Sequence, residues 1–124
     1  MNNSTYIRHI EIWISHNKKS RIFYSGLFRL LKWRKVKLNA WTNGETRIYL
    51  MQEKELTKEP SLGVHHICFQ VPDRNTVDKV AKWLYKNNAI ITNGPTEMKE
   101  YMKGYYTVDF HDPDGFTLEV VSTH

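Results

Sequence analysis

A chain of 124 residues is long enough for one domain with a real core and too short for two independent ones. It is 40% hydrophobic and 25% charged. No apolar run nears the roughly 20 residues that span a bilayer, and no basic-then-hydrophobic block opens it, so the expectation is a soluble protein without membrane partners. A lone cysteine, Cys68, excludes an intrachain disulfide and a multi-cysteine zinc site, and fits a reduced cytoplasmic setting.

"YIRHIEIWIS" alternates apolar and polar residues and is rich in β-branched ones, which predicts a strand. "NKKSRIFYSGLFRLLKW" follows, with Phe23, Leu27, Leu30 and Leu31 at helical spacing. "WRKVKLNAWTNGETRIYLMQ" reads as short strands with a hairpin turn at Asn43-Gly44. "EKELTKEPSLG" is polar, carries a proline and a glycine, and reads as a linker.

The order then begins again. "HHICFQV" is a strand, Pro72 and Asp73 mark a helix start, and Val77, Val80, Ala81 and Leu84 form one apolar helix face. "AIITNGP" reads as a short strand with a turn, and "EMKEYMKGYY" as a surface loop or a flap. "GYYTVDF" and "FTLEVVS" are strands joined by a tight turn, "HDPDG". The net charge of +5 is uneven: the first sixty residues hold twelve Lys/Arg against five Asp/Glu, the rest six against eight. The basic stretches "NKKSR" and "RLLKWRKVK" read as a solvated helix and edge strand. No nucleic-acid motif accompanies them, so no nucleic-acid partner is expected.

The chain thus reads β-α-β-β-β twice. "RHIEIWIS" (8–15) and "HHICFQVP" (65–72) share a histidine, an isoleucine and apolar positions at an offset of 57. The expected fold class is α+β, one domain over 1–124: a first module at about 5–55, a linker at about 56–62 and a second module at about 63–122.

Side-chain parity sorts the residues of each strand into two faces. Ile10, Ile12 and Ile14 should face the helix, leaving His9, Glu11 and Trp13 opposite. The same rule leaves His66, Cys68 and Gln70 opposite His65, Ile67, Phe69 and Val71, so only His66 of the two adjacent histidines should face the site, and it leaves Arg47, Tyr49 and Met51 opposite Ile48 and Leu50. Near the C-terminus it leaves Tyr105, Thr107 and Asp109 opposite Val108 and Phe110, and Thr117, Glu119 and Val121 opposite Phe116, Leu118 and Val120. His9, His66 and Glu119 therefore fall on the face away from the helices. Two imidazoles and a carboxylate suit a divalent metal with open positions, or else each is hydrogen-bonded in an ordinary polar groove.

"RHIEIWISHNKKSRIFY", "LGVHHICFQVPDRNTVDKVAKWL" and "KGYYTVDFHDPDGFTLEVV", about half the chain, resemble the vicinal oxygen chelate superfamily. That family includes glyoxalase I, extradiol dioxygenases, and fosfomycin- and bleomycin-resistance proteins. The resemblance implies paired modules whose mixed sheets curl into a cup, with helices on the outer face. It also implies metal ligands at His9, His66 and Glu119, a divalent cofactor (Fe, Mn, Zn or Ni) and a homodimer. The fourth ligand of glyoxalase I would fall among Arg47, Tyr49 and Met51, and none of these is the expected Glu or Gln. Tyr105 could match the extradiol tyrosine, but His16 and His111 are placed at a helix start and in a turn rather than facing the cup.

The function so implied is a metal-dependent enzyme of the lyase, isomerase, dioxygenase or antibiotic-modifying type, acting on a small chelating, oxygen-rich substrate. The alternative is a non-catalytic binding or sequestering protein of the bleomycin-resistance type. Candidate catalytic residues are Glu11, Tyr49 and Tyr105; candidate substrate-binding residues are Trp13, Arg47, Cys68 and Asp109, with Asp109 also a candidate base. Arg47 is the expected partner of Glu11.

Overall fold

The computed structural model describes residues 5–53 and 62–124. The proposed linker, 56–62, lies almost wholly outside them. The described residues fall into two compact units, one on either side of the break between residues 53 and 62.

In the first unit, β1 (His9–Ile14) precedes α1 (Asn17–Leu30), followed by β2 (Arg34–Lys37), β3 (Ala40–Thr42) and β4 (Arg47–Gln52). The strand order is β1-β4-β3-β2, with β1 parallel to β4 and the other pairs antiparallel. The second unit repeats this with β5 (His66–Gln70), α2 (Arg74–Lys86), β6 (Ile91–Glu97), β7 (Tyr106–His111) and β8 (Thr117–Ser122), in the order β5-β8-β7-β6. The first strands and the helices of the two units each start 57 residues apart. The chain is therefore an α+β fold of two modules, each a helix with a four-stranded mixed sheet. Among the described residues no helix is long and apolar enough to cross a membrane.

The positions that parity turns toward the helices hold much of the core, although in β8 both faces are buried, Glu119 and Val121 included. Ile12, Ile14, Ile48 and Leu50 are buried in the first unit, and Phe69, Val108, Phe110, Leu118 and Val120 in the second. The α2 core face is Val77, Val80, Ala81 and Leu84, as its periodicity predicts. Asp73 caps this helix, accepting from Thr76 N at 2.8 Å. The α1 face differs from the expected one: Ser20, Tyr24, Leu27 and Phe28 are buried, while Phe23, Leu30 and Leu31 are only partly so. Two stripes of equal spacing overlap at Leu27. The buried one carries the ring ladder in which Phe28 stacks on Trp33 and packs on Trp41, centroids 5.1 and 5.2 Å apart.

Both helices end in paired backbone bonds without a glycine. Lys32 and Asn88 take positive φ of 65° and 59°, and Trp33 N reaches Phe28 O as Ala89 N reaches Leu84 O. The Asn43-Gly44 turn spans four residues between strands, and Asn43 Oδ1 accepts from Glu45 N and Thr46 N. "ITNGP" does not turn. β6 continues through it to Glu97, its pairing with β7 irregular between Asn93 and Thr96.

Candidate functional site

The polar face of the second sheet is assembled by register. β8 runs between β5 and β7, so His66, Thr117 and His111 form one cross-strand row and Cys68, Glu119 and Asp109 the next. A pocket of about 530 Å³ opens over these rows, lined by their members other than Cys68 and also by His65, Thr92, Tyr101 and Tyr105. Its ring walls include the edge-on pair Tyr101–Tyr105, centroids 5.3 Å apart.

Glu119 lies at the back of the pocket and is 6% exposed. Its Oε1 is 3.1 Å from His66 Nε2, and its Oε2 accepts from Tyr105 Oη at 2.7 Å. Thr107 Oγ1 also lies 2.7 Å from Oε2 and 3.1 Å from Val120 O; with a single hydrogen to give, it donates to the nearer, charged acceptor. Burial by itself pushes the Glu119 carboxyl up, but hydrogen bonds from Tyr105, Thr107, His66 and Cys68 outweigh it and hold the group below the usual carboxylate range.

Its neighbours move the other way. Burial, the Glu119 charge and hydrogen bonding to Glu119 push the Cys68 thiol up to about 12, so at neutral pH it is a thiol and a poor nucleophile. Burial and the bond to Glu119 raise the Tyr105 phenol far above its ordinary value, which makes it a donor rather than a base. Asp109 is also raised, chiefly by burial and then by the Glu119 charge.

The first unit carries its polar face more openly. His9 Nε2 is 3.3 Å from Glu11 Oε2, with the two side chains 50% and 52% exposed. Glu11 therefore faces His9 and not Arg47, whose Nη1 lies 3.4 Å from Tyr49 Oη. The Tyr49 ring meets His9 edge-on at 5.7 Å. Trp13 is exposed beside Met51 in register. His16 caps α1 through Nδ1, as its place at the helix start suggested.

Of the three sequence-derived ligands, His66 and Glu119 are thus brought together in the second unit, while His9 stands on the edge strand of the first. Metal–donor bonds of about 2.1 Å meeting at a right angle put their donor atoms about 3 Å apart. The 3.1 Å between His66 Nε2 and Glu119 Oε1 matches that edge, so the pair fits two neighbouring positions on one divalent ion. Among the described residues no group of three or more His, Cys, Asp and Glu side chains is arranged to hold a metal. Two pocket histidines lie elsewhere than the sequence reading placed them. His111 ends β7 instead of lying in the turn, and His65, expected on the strand face opposite His66, lines the same pocket as His66 because β5 begins only at His66 and alternation does not reach back to it.

A model of the Glyoxalase/Bleomycin resistance protein/Dioxygenase superfamily matches residues 6–120. Among solved structures, a provisionally assigned glyoxalase from Bacillus halodurans superposes with a TM-score of 0.79 at 20% identity, over 94% of each chain. A glyoxalase/dioxygenase from Nostoc punctiforme gives 0.75 at 21%, over 97% of this chain and 92% of that one. A glyoxylase/bleomycin resistance protein/dioxygenase domain from Frankia sp. EAN1pec gives 0.73 at 16%, over 97% and 98%. No curated protein is significantly similar to the chain.

Proposed function

Since the chain belongs to the Glyoxalase/Bleomycin resistance protein/Dioxygenase superfamily, we propose that it is a metal-dependent enzyme acting on a small, oxygen-rich, chelating substrate in a reduced cytoplasmic setting. The reading is carried by the convergence of His66 Nε2 and Glu119 Oε1 at 3.1 Å on the pocket. The family pattern assigns the third donor to His9. A divalent ion (Fe, Mn, Zn or Ni) held there would supply Lewis acidity toward neighbouring substrate oxygens.

The protein's own part is positional. Tyr105 and Thr107 occupy Glu119 Oε2, which leaves Oε1 directed at the pocket beside His66. Tyr101 and Tyr105 offer ring surface to the body of a substrate, and Asp109 and His111 are pocket groups outside the ligand set able to hold or move a proton. Elemental analysis after dialysis against each ion tests the reading. The wild type should retain about one equivalent of at least one of these ions, and His66→Ala should lose at least 100-fold in affinity, beyond the 10- to 100-fold typical of outer-shell changes. A wild type that takes up none refutes it. His9→Ala tests the third donor in the same assay.

One observation favours a second reading, a metal-free binding protein of the bleomycin-resistance type. Both Glu119 oxygens already have protein donors. That reading requires a ligand whose affinity survives His66→Ala.

A further inference from the structure

His65 has no part in the proposed ligand set, yet its ring lines the same pocket and its Nδ1 lies 2.8 Å from Nδ1 of His66. The two rings are nearly perpendicular, 79° apart, with centroids 5.0 Å apart. We infer that His65 is a positioning residue for His66, bonded Nδ1 to Nδ1 so that the His66 ring keeps Nε2 aimed at Glu119 and the pocket. The inference rests on the proposed role of His66 Nε2 as a metal donor.

The 3.1 Å contact between His66 Nε2 and the Glu119 carboxylate needs its hydrogen on Nε2, because the carboxylate only accepts. A neutral His66 then has a bare Nδ1, and the single hydrogen in the 2.8 Å contact comes from His65 Nδ1. This is the less usual arrangement for His65. It is set by its neighbour rather than by solvent.

When Nε2 of His66 serves as a donor to a metal, its hydrogen must leave. A neutral His66 then carries its hydrogen on Nδ1 and gives it to His65 Nδ1, and His65 is protonated at Nε2. The hydrogen in the Nδ1–Nδ1 bond crosses from His65 to His66. One proton leaves His66 Nε2 and one arrives at His65 Nε2, so the pair as a whole neither gains nor loses a proton. His65 thus supports His66 in both states by reversing the direction of one hydrogen bond. The outer partner of a metal-binding histidine is ordinarily a carboxylate or carbonyl, which can only accept, or a water. An imidazole serves either way.

Long-range proton–nitrogen correlation spectra of the full chain with labelled histidine rings, at about pH 8 where ordinary imidazoles are neutral, read this directly. Without metal, His65 should carry its proton on Nδ1 and His66 on Nε2, and His66→Phe should return His65 to the Nε2-protonated form. A His65 protonated on Nε2 in the metal-free wild type overturns the inference, whether or not the protein binds a metal. With zinc added, the two assignments should exchange. His65→Phe should weaken zinc binding 10- to 100-fold in a chelator competition, and His65→Asn, which keeps a hydrogen-bonding group, should recover part of the loss. Unchanged zinc affinity in both variants overturns it too. A wild type that takes up no zinc, iron, manganese or nickel defeats the proposed function instead, and the metal-free spectrum still decides the hydrogen bond.

Discussion

The two modules share element order, strand order and parity, yet the same topological position holds different chemistry in each. In the first, His9 pairs in register with Arg47 and Glu11 with Tyr49; in the second, His66 pairs with Thr117 and Cys68 with Glu119. Histidine opens the edge strand of both. The carboxylate sits on the edge strand in the first module and on the interior strand in the second, where strands on both sides enclose it. The result is a Glu11 side chain 52% exposed and a Glu119 residue 6% exposed. A one-strand displacement of a carboxylate separates a solvated surface pair from a buried, saturated acceptor. The second module should therefore be sensitive to the loss of its carboxylate and the first indifferent.

The largest effect should come from Glu119→Ala. It takes the charged acceptor away from the Tyr105 and Thr107 hydroxyls, and two hydrogen bonds to a charged group are together worth about 3–5 kcal/mol. Urea unfolding followed by circular dichroism measures it. A loss under about 1 kcal/mol would mean that the network around Oε2 contributes little to the fold.

Much of this contrast was legible in the residues, because parity is local: alternate positions along a strand take opposite faces whatever the strand pairs with. That is why His66, Cys68, Thr107, Asp109 and Glu119 fell on one face from pattern alone. Register is not local. Nothing near Glu11 says that its partner is His9 rather than Arg47, and nothing in "HDPDG" says that its histidine still belongs to a strand. The α1 face was ambiguous for a related reason. Phe23, Leu27, Leu30 and Leu31 have the same spacing as Ser20, Tyr24, Leu27 and Phe28, and only the ring ladder onto Trp41, distant in sequence, selects the second set. Alternation puts His65 on the wrong face when it is extended one residue before β5, which begins at His66.

Thr107→Val should cost about 2 kcal/mol, a nearly isosteric loss of one hydrogen bond to a charged group. It also changes the acid limb. Glu119 is held below its unfolded-chain value in the folded protein, so the stability its charge brings is complete above that unfolded value. It disappears as pH falls through the lower folded value. Removing a donor brings the folded value back toward the unfolded one, so the variant's stability should fall less on acidification. An unchanged slope of stability against pH would remove Thr107 from the network.

Asp109→Asn tests the opposite sign. Its carboxyl is raised in the fold, chiefly by burial and then by the Glu119 charge, so its ionised form opposes folding above the folded value and has no such effect at acid pH, where both states are protonated. The variant should have a higher Tm than the wild type near neutral pH, and the advantage should vanish on acidification. A variant less stable at neutral pH would show that the Asn93 contact to Asp109 Oδ2, at 3.5 Å, matters more than the charge repulsion.

The smallest effect belongs to the first module. Glu11 and His9 approach at 3.3 Å with half of each side chain in solvent, and pairs so exposed contribute about 0.5 kcal/mol or less. Glu11→Gln should therefore leave the urea midpoint almost where it was, and the small difference should shrink further as salt is raised. Such indifference beside a several-kcal/mol response at Glu119 is what carboxylates on an edge strand and on an interior strand of one repeated topology should give. A loss of 2 kcal/mol or more at Glu11 would show that the first module's polar face is enclosed in solution as tightly as the second's, and the contrast between the two would be an accident of residue identity rather than of strand position.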